Sequence, residues 1–150
     1  YVSLFAIGHS STLIFGVFAD IHINAHIIDA IIGLSVVYKA LDNLGVYQRW
    51  FNIQPNTKIS TLIFGLFHGF GLATKIIEFD MDANGLLTNL IAFNVGVEIG
   101  QLLALSGILI LISYWRKQPS FITYAYSTNI VLMILGFMLA GNQLLGYFNS

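Results

Sequence analysis

The sequence predicts an all-α fold, a bundle of helices that crosses a membrane several times. Three observations predict it. Apolar residues make up 57% of the 150-residue chain, and charged residues only 9%, where a soluble domain carries about 25%. Mean hydropathy is +0.80. Five apolar stretches, near residues 1–19, 24–44, 58–78, 86–113 and 121–146, reach the roughly 20 residues that a membrane-spanning helix needs. A single transmembrane domain over residues 1–150 follows. Net charge is −1 and no long basic tract exists, so nothing points to nucleic acid. The absence of cysteine excludes disulfides, thiolate metal sites and cysteine nucleophiles. The chain begins at Tyr1, already inside an apolar run, so a further segment is expected to precede it.

The first stretch holds "GHSST", with His9 about halfway along and Ser10, Ser11 and Thr12 beside it. Those hydroxyls can bond back to helix carbonyls. At the start of the second stretch His22, His26 and Asp29 are spaced i, i+4, i+7. They share one face if the helix reaches back to His22. With Asp20 they form a candidate external entry for a divalent cation. The alternative is an interfacial turn rich in histidine. Further on, Lys39 and Asp42 stand i, i+3 and can pair; with Asn43 they read as structural. Pro55 breaks the connection that follows.

The third stretch reads "FGLFHGFGLA" over residues 64–73. Gly65 and Gly69 form a GxxxG, a pattern that lets helices approach closely in membranes. His68 falls near the middle. The fourth stretch contains "FNVGVEIGQ" over residues 93–101. Asn94, Glu98 and Gln101 are spaced i, i+4, i+7 and fall within about 60° of arc, while Gly96 and Gly100 take the opposite face. One face therefore packs and the other presents oxygens. A carboxylate at Glu98, near the bilayer centre, costs at least about 2.5 kcal/mol unless paired or hydrated. It is either a functional group or a protonated side chain bonded to neighbouring helices. Pro119 ends the next connection, and the fifth stretch, with Asn129 as its notable polar residue, reads as packing.

Lys and Arg set the orientation. Arg49 and Lys58 flank one connection and Arg116 and Lys117 lie in another, so loops 45–57 and 114–120 are expected in the cytoplasm. Loops 20–23 and 79–85 are then external, and Asp20, Glu78, Asp80 and Asp82 fall on that side. Tyr47, Trp50, Tyr114 and Trp115 beside the cytoplasmic loops suit a membrane interface. Three helices thus place His9, His68 and Glu98 at one depth. Imidazole with carboxylate suits Ni, Zn, Fe or Co, and the lack of sulfur disfavours Cu(I).

"IGHSSTL" (7–13), "IIDAIIGLSVVYKALDN" (27–43), "FGLFHGFGLA" (64–73) and "FNVGVEIGQL" (93–102) stand in order. Together they resemble the hydrogenase/urease accessory HupE/UreJ family of bacterial membrane proteins, over about residues 1–112. The resemblance implies a bundle of six helices in the full protein, the first bearing a histidine-rich motif that this chain lacks. It implies passage of Ni²⁺, or of Co²⁺, Zn²⁺ or Fe²⁺, across the inner membrane to supply hydrogenase or urease. His9, His68, Asn94, Glu98 and Gln101 occupy motif positions. Asp29 stands where the family has a glutamate, and His22 and His26 belong to no family motif. No permanently bound cofactor is implied; the metal is cargo. Expected partners are the lipid bilayer, a second copy of the chain and nickel-enzyme maturation proteins.

Two other functions compete with transport. An intramembrane metal-dependent hydrolase could use two histidines and a carboxylate, but no HExxH and no nucleophile elbow occurs. A non-catalytic subunit could dock a partner on its glycine faces. His68 and Glu98 would then be paired with each other or with backbone, leaving no cavity.

Overall fold

The computed structural model of the chain describes residues 1–78 and 85–149. These form six α-helices and no strand: α1 Val2–Phe18, α2 Ala25–Asn43, α3 Val46–Phe51, α4 Thr57–Glu78, α5 Leu86–Trp115 and α6 Phe121–Asn149. Three segments, Thr57–Ile77, Thr88–Trp115 and Phe121–Asn149, are long and apolar enough to cross a membrane. α1 is apolar but has 17 residues, about 26 Å at the helical rise. α2 has 19 residues and carries Asp29, Lys39 and Asp42 among them.

The ends of the helices follow from local chemistry. Asn24 caps α2, its side chain accepting from the His26 amide at 2.9 Å. The helix therefore starts at Ala25, and His22 lies in the turn before it rather than on its face. Asn56, directly after Pro55, accepts from the Lys58 and Ile59 amides and starts α4. The connection expected between α2 and α4 contains the short α3. Gly45 (φ 71°) and Asn52 (φ 51°) are left-handed on either side of it, which limits it to six residues. Trp50 and Phe51 on it are exposed. Asp80 and Asp82, and the side chain of Glu78, lie outside what the structure describes.

The chain divides into two compact units, Tyr1–Asp80 with Asn129–Ser150, and Met81–Thr128. In the first, α1 and α4 run parallel and close. Phe5 meets Gly65, Gly8 meets Leu62, Thr12 meets Gly69, and Gly16 meets Ala73. A Cβ on Gly8 would come within 2.7 Å of the Leu62 carbonyl oxygen, and one on Gly16 within 2.7 Å of the Ala73 Cβ. One on Gly65 would run into the Phe5 carbonyl, and one on Gly69 into the Thr12 hydroxyl and the His9 carbonyl. The Thr12 hydroxyl crosses the contact to the Leu66 carbonyl at 2.8 Å. α2 runs antiparallel to α4, with Ile28 over Gly71 and Tyr38 reaching Ser60. It also runs antiparallel to the last part of α6. There Gly33 faces Gly136 so closely that a Cβ on either would lie within 2.9 Å of the other's carbonyl oxygen. Lipid offers apolar side chains as good an environment as a neighbouring helix does. Close backbone approach and interhelical hydrogen bonds therefore supply the association.

The second unit holds α5, the turn around Pro119 and the start of α6. Trp115 packs its ring against Phe121 and Tyr124, with centroids 5.7 and 5.8 Å apart. Within this unit a Cβ on Gly96 or Gly100 would meet nothing within 4 Å.

The two glycine pairs therefore differ in a measurable way. Gly69→Leu forces apart a backbone contact and should lower stability by about 1–3 kcal/mol or more, read as a fall in the thermal midpoint in detergent. Gly96→Ala should leave the midpoint of the isolated chain unchanged. Equal falls for both would contradict this account of the packing.

Candidate functional site

His9 sits midway along α1 and His68 midway along α4. The parallel register of these helices brings the two to one layer. Gly69 lies against the backbone carbonyl of His9, and the Phe5 ring touches both imidazoles. It stacks on His9 at 5.9 Å with an interplanar angle of 9°, and meets His68 edge-on at 5.1 Å.

The two imidazoles have different hydrogen bonding. His68 Nδ1 lies 2.8 Å from the Phe64 carbonyl. A carbonyl only accepts, so Nδ1 carries the proton and Nε2 keeps its lone pair. A backbone bond of this kind fixes the ring's orientation and aims Nε2, as it does in histidines that bind metals. His9 is 7% exposed, and neither of its buried ring nitrogens has a partner among the described residues. Leaving a buried polar group unsatisfied costs about 1–3 kcal/mol. Both nitrogens of His9 are thus open to a ligand or a water.

His68 also lines a cavity of about 360 Å³ in the first unit. Phe5 and Phe64 wall the same end, Tyr38 and Ser60 its middle, and Asp42 and Asn43 the far end. The Tyr38 and Ser60 hydroxyls are 2.9 Å apart, linking α2 to α4. Asn43 donates to Asn129 of α6 at 2.9 Å, and Lys39 pairs with Asp42 at 2.6 Å. Outside the helix bundle, burial raises the Tyr47 phenol above its ordinary value, with Tyr38 and the Asp42 carboxylate adding to the effect.

Asn94, Glu98 and Gln101 lie on the uninterrupted helix α5, in the second unit. Asn94 donates to the Leu90 carbonyl at 3.1 Å, while its own buried carbonyl oxygen has no partner among the described residues. Glu98 is exposed and Gln101 half-buried.

Each residue of the expected external entry has a partner. His22 Nδ1 lies 3.0 Å from the backbone oxygen of Asp20 and 3.8 Å from its carboxylate. His26 instead pairs with Gln143 of α6 at 2.7 Å, and Asp29 with Lys75 of α4 at 3.4 Å. His22 and Asp20 thus meet each other, while His26 and Asp29 are engaged by other helices. Among the described residues no three His, Cys, Asp or Glu side chains come together as a metal-ligand set. Sequence reasoning also passed over Phe5, Tyr38, Ser60 and Gln143. A signal for the last was present. Asn129, Gly136, Ala140 and Gln143 recur at a near-heptad spacing on α6, marking the face that meets α2.

The fold and site define an all-helical membrane protein with a histidine layer in a glycine-packed bundle. The chain belongs to the HupE / UreJ protein family, whose family model matches residues 1–150, the whole chain. Membership implies an accessory or transport role for nickel or cobalt. No curated protein and no solved structure matches the chain.

The hydrogen bonding of the histidines can be checked without metal. His9→Leu removes two unsatisfied nitrogens and should hold or raise the thermal midpoint, by up to about 1 kcal/mol of stability. A marked fall would show that His9 has a partner. Nitrogen NMR of labelled imidazoles should find His68 protonated at Nδ1; protonation at Nε2 alone would contradict the assignment.

Proposed function

We propose that the protein moves a divalent transition-metal cation, Ni²⁺ first, across the bacterial inner membrane, for supply to nickel enzymes such as hydrogenase or urease. One observation carries this reading: a buried imidazole at His9 with both nitrogens unpartnered among the described residues, beside a second imidazole whose Nε2 is left as an acceptor. Neutral imidazole suits Ni²⁺, Co²⁺, Zn²⁺ and Fe²⁺. Asn94, Glu98 and Gln101 of α5 would offer oxygens to the cation elsewhere on its passage, with Glu98 as ligand or proton carrier. α1, α2, α4, α5 and α6 would make five crossings, with loops 45–57 and 114–120 cytoplasmic by their Lys and Arg. Gly96 and Gly100 would face a second copy of the chain or a partner protein.

The cavity beside His68 favours transport over a purely docking subunit, which needs none, although the bond from His68 Nδ1 to the Phe64 carbonyl suits either reading. Passage requires a site that releases what it binds.

Radiolabelled nickel uptake into cells or proteoliposomes tests the reading. His9→Ala, His68→Ala and Glu98→Gln should each reduce uptake by about tenfold or more, since even outer-shell changes cost that much affinity. Normal uptake with His68→Ala and Glu98→Gln combined would overturn it.

A further inference from the structure

The Lys39–Asp42 pair has no part in the function proposed above, and its position is unusual for a surface ion pair. The cavity that begins at His68 runs along α4 to Thr57, about 16 Å at the helical rise. Lys39 and Asp42 both line its far end. A second cavity of about 240 Å³ lies beyond, bounded by Gly45, Tyr47, Gln48, Gln54 and Pro55, and Asp42 lines that one too. Asp42 is thus a carboxylate shared by two cavities, one reaching the histidine layer and the other lying among the residues that join α2 to α4.

We propose that Asp42 is a cation-exit site and that the Lys39 ammonium is its built-in competitor. The proposal rests on the transport reading and names how that site empties. A cation leaving His68 along the cavity meets the Asp42 carboxylate, the acidic group on that wall. The ammonium 2.6 Å from Oδ2 already occupies it. The pair is neutral, so it neither traps nor repels an approaching dication strongly. Lys39 is 45% exposed and Asp42 19%, and ion pairs this open to solvent are weak. A divalent cation therefore displaces the ammonium readily. The ammonium, tethered one helical turn away, then displaces the cation. Asn43, bonded to Asn129, and Tyr38, bonded to Ser60, hold the walls on either side. Asp42 is a hard oxygen ligand and His68 a borderline nitrogen ligand, so the cation trades imidazole for carboxylate and water as it leaves.

Sign separates this role from a structural one. Lys39→Met frees the carboxylate, so the full-length protein in detergent should bind Ni²⁺ about three- to fivefold more tightly, while flux into proteoliposomes falls because release slows. Asp42→Asn leaves an unopposed ammonium in the path, so binding weakens and flux falls. Lys39→Met with Asp42→Asn removes both charges and should restore binding affinity to near that of the wild type. Lys39→Arg, which keeps the charge, should behave as the wild type does, and covers the case in which Lys39→Met fails to fold. A merely structural pair would weaken binding, or leave it unchanged, in both single variants, and that result would overturn the proposal. If the wild type carries nickel, and His68→Ala abolishes it, but the Lys39 and Asp42 variants bind and transport normally, the exit site alone is wrong. If the wild type carries no nickel, the transport reading itself fails, and the exit site with it.

Discussion

Two helices meet along α1 and α4 with almost no side chain between them. Gly8, Gly16, Gly65 and Gly69 each leave a gap that a Cβ would close, and the Thr12 hydroxyl bridges to Leu66 across it. In lipid this contact replaces the hydrophobic core of a soluble protein, because apolar side chains gain little by leaving one another's company. The histidine layer depends on the same contact. With the helices this close and parallel, Phe5 can touch both His9 and His68. Moving α1 along α4 by one turn, about 5.4 Å, would separate the rings. The glycines thus fix the relative height of the two imidazoles, so a change in this packing also changes the chemistry.

Polarity within the first unit is arranged in layers along the helices. His26 and Gln143 close one end, with Asp29 and Lys75 beside them. The two imidazoles with Phe5 occupy the middle. Tyr38 and Ser60, then Asn43 and Asn129 with the Lys39–Asp42 pair, line the way to the other end. At the two ends these groups satisfy one another, across helices or, for Lys39 and Asp42, within α2. The middle layer does not, since both nitrogens of His9 are buried without a bond among the described residues. Such imbalance is expensive in a low-dielectric interior, and it is concentrated where a cation would bind.

Much of this was legible in the sequence. Hydropathy located every helix longer than six residues, and GxxxG spacing at Gly65 and Gly69 marked a close contact. The four motifs identified the family, whose model extends to the whole chain. Mid-helix position put His9, His68 and Glu98 at one depth; α1 and α4 carry the first two in one layer, and Glu98 lies on α5 in the other unit. Periodicity alone could not say where a helix begins. Asn24 caps α2 after His22, so a spacing that matched one face was not on one face. Nor could it see partners supplied from distant sequence, such as Lys75 for Asp29 and Gln143 for His26. Those pairings engage two of the residues expected at the external entry. The short α3 was hidden in a polar connection, where Gly45 and Asn52 turn the chain left-handed at its two ends.

The central claim is that imidazole nitrogen from the α1–α4 layer binds the transported metal. X-ray absorption at the nickel edge of the metal-loaded, full-length protein tests it most directly. The account predicts a first shell of nitrogen and oxygen with the multiple-scattering signature of two imidazoles, reduced to one in His9→Ala. A shell of oxygen and water alone, or an imidazole signal unchanged by both His9→Ala and His68→Ala, would contradict it.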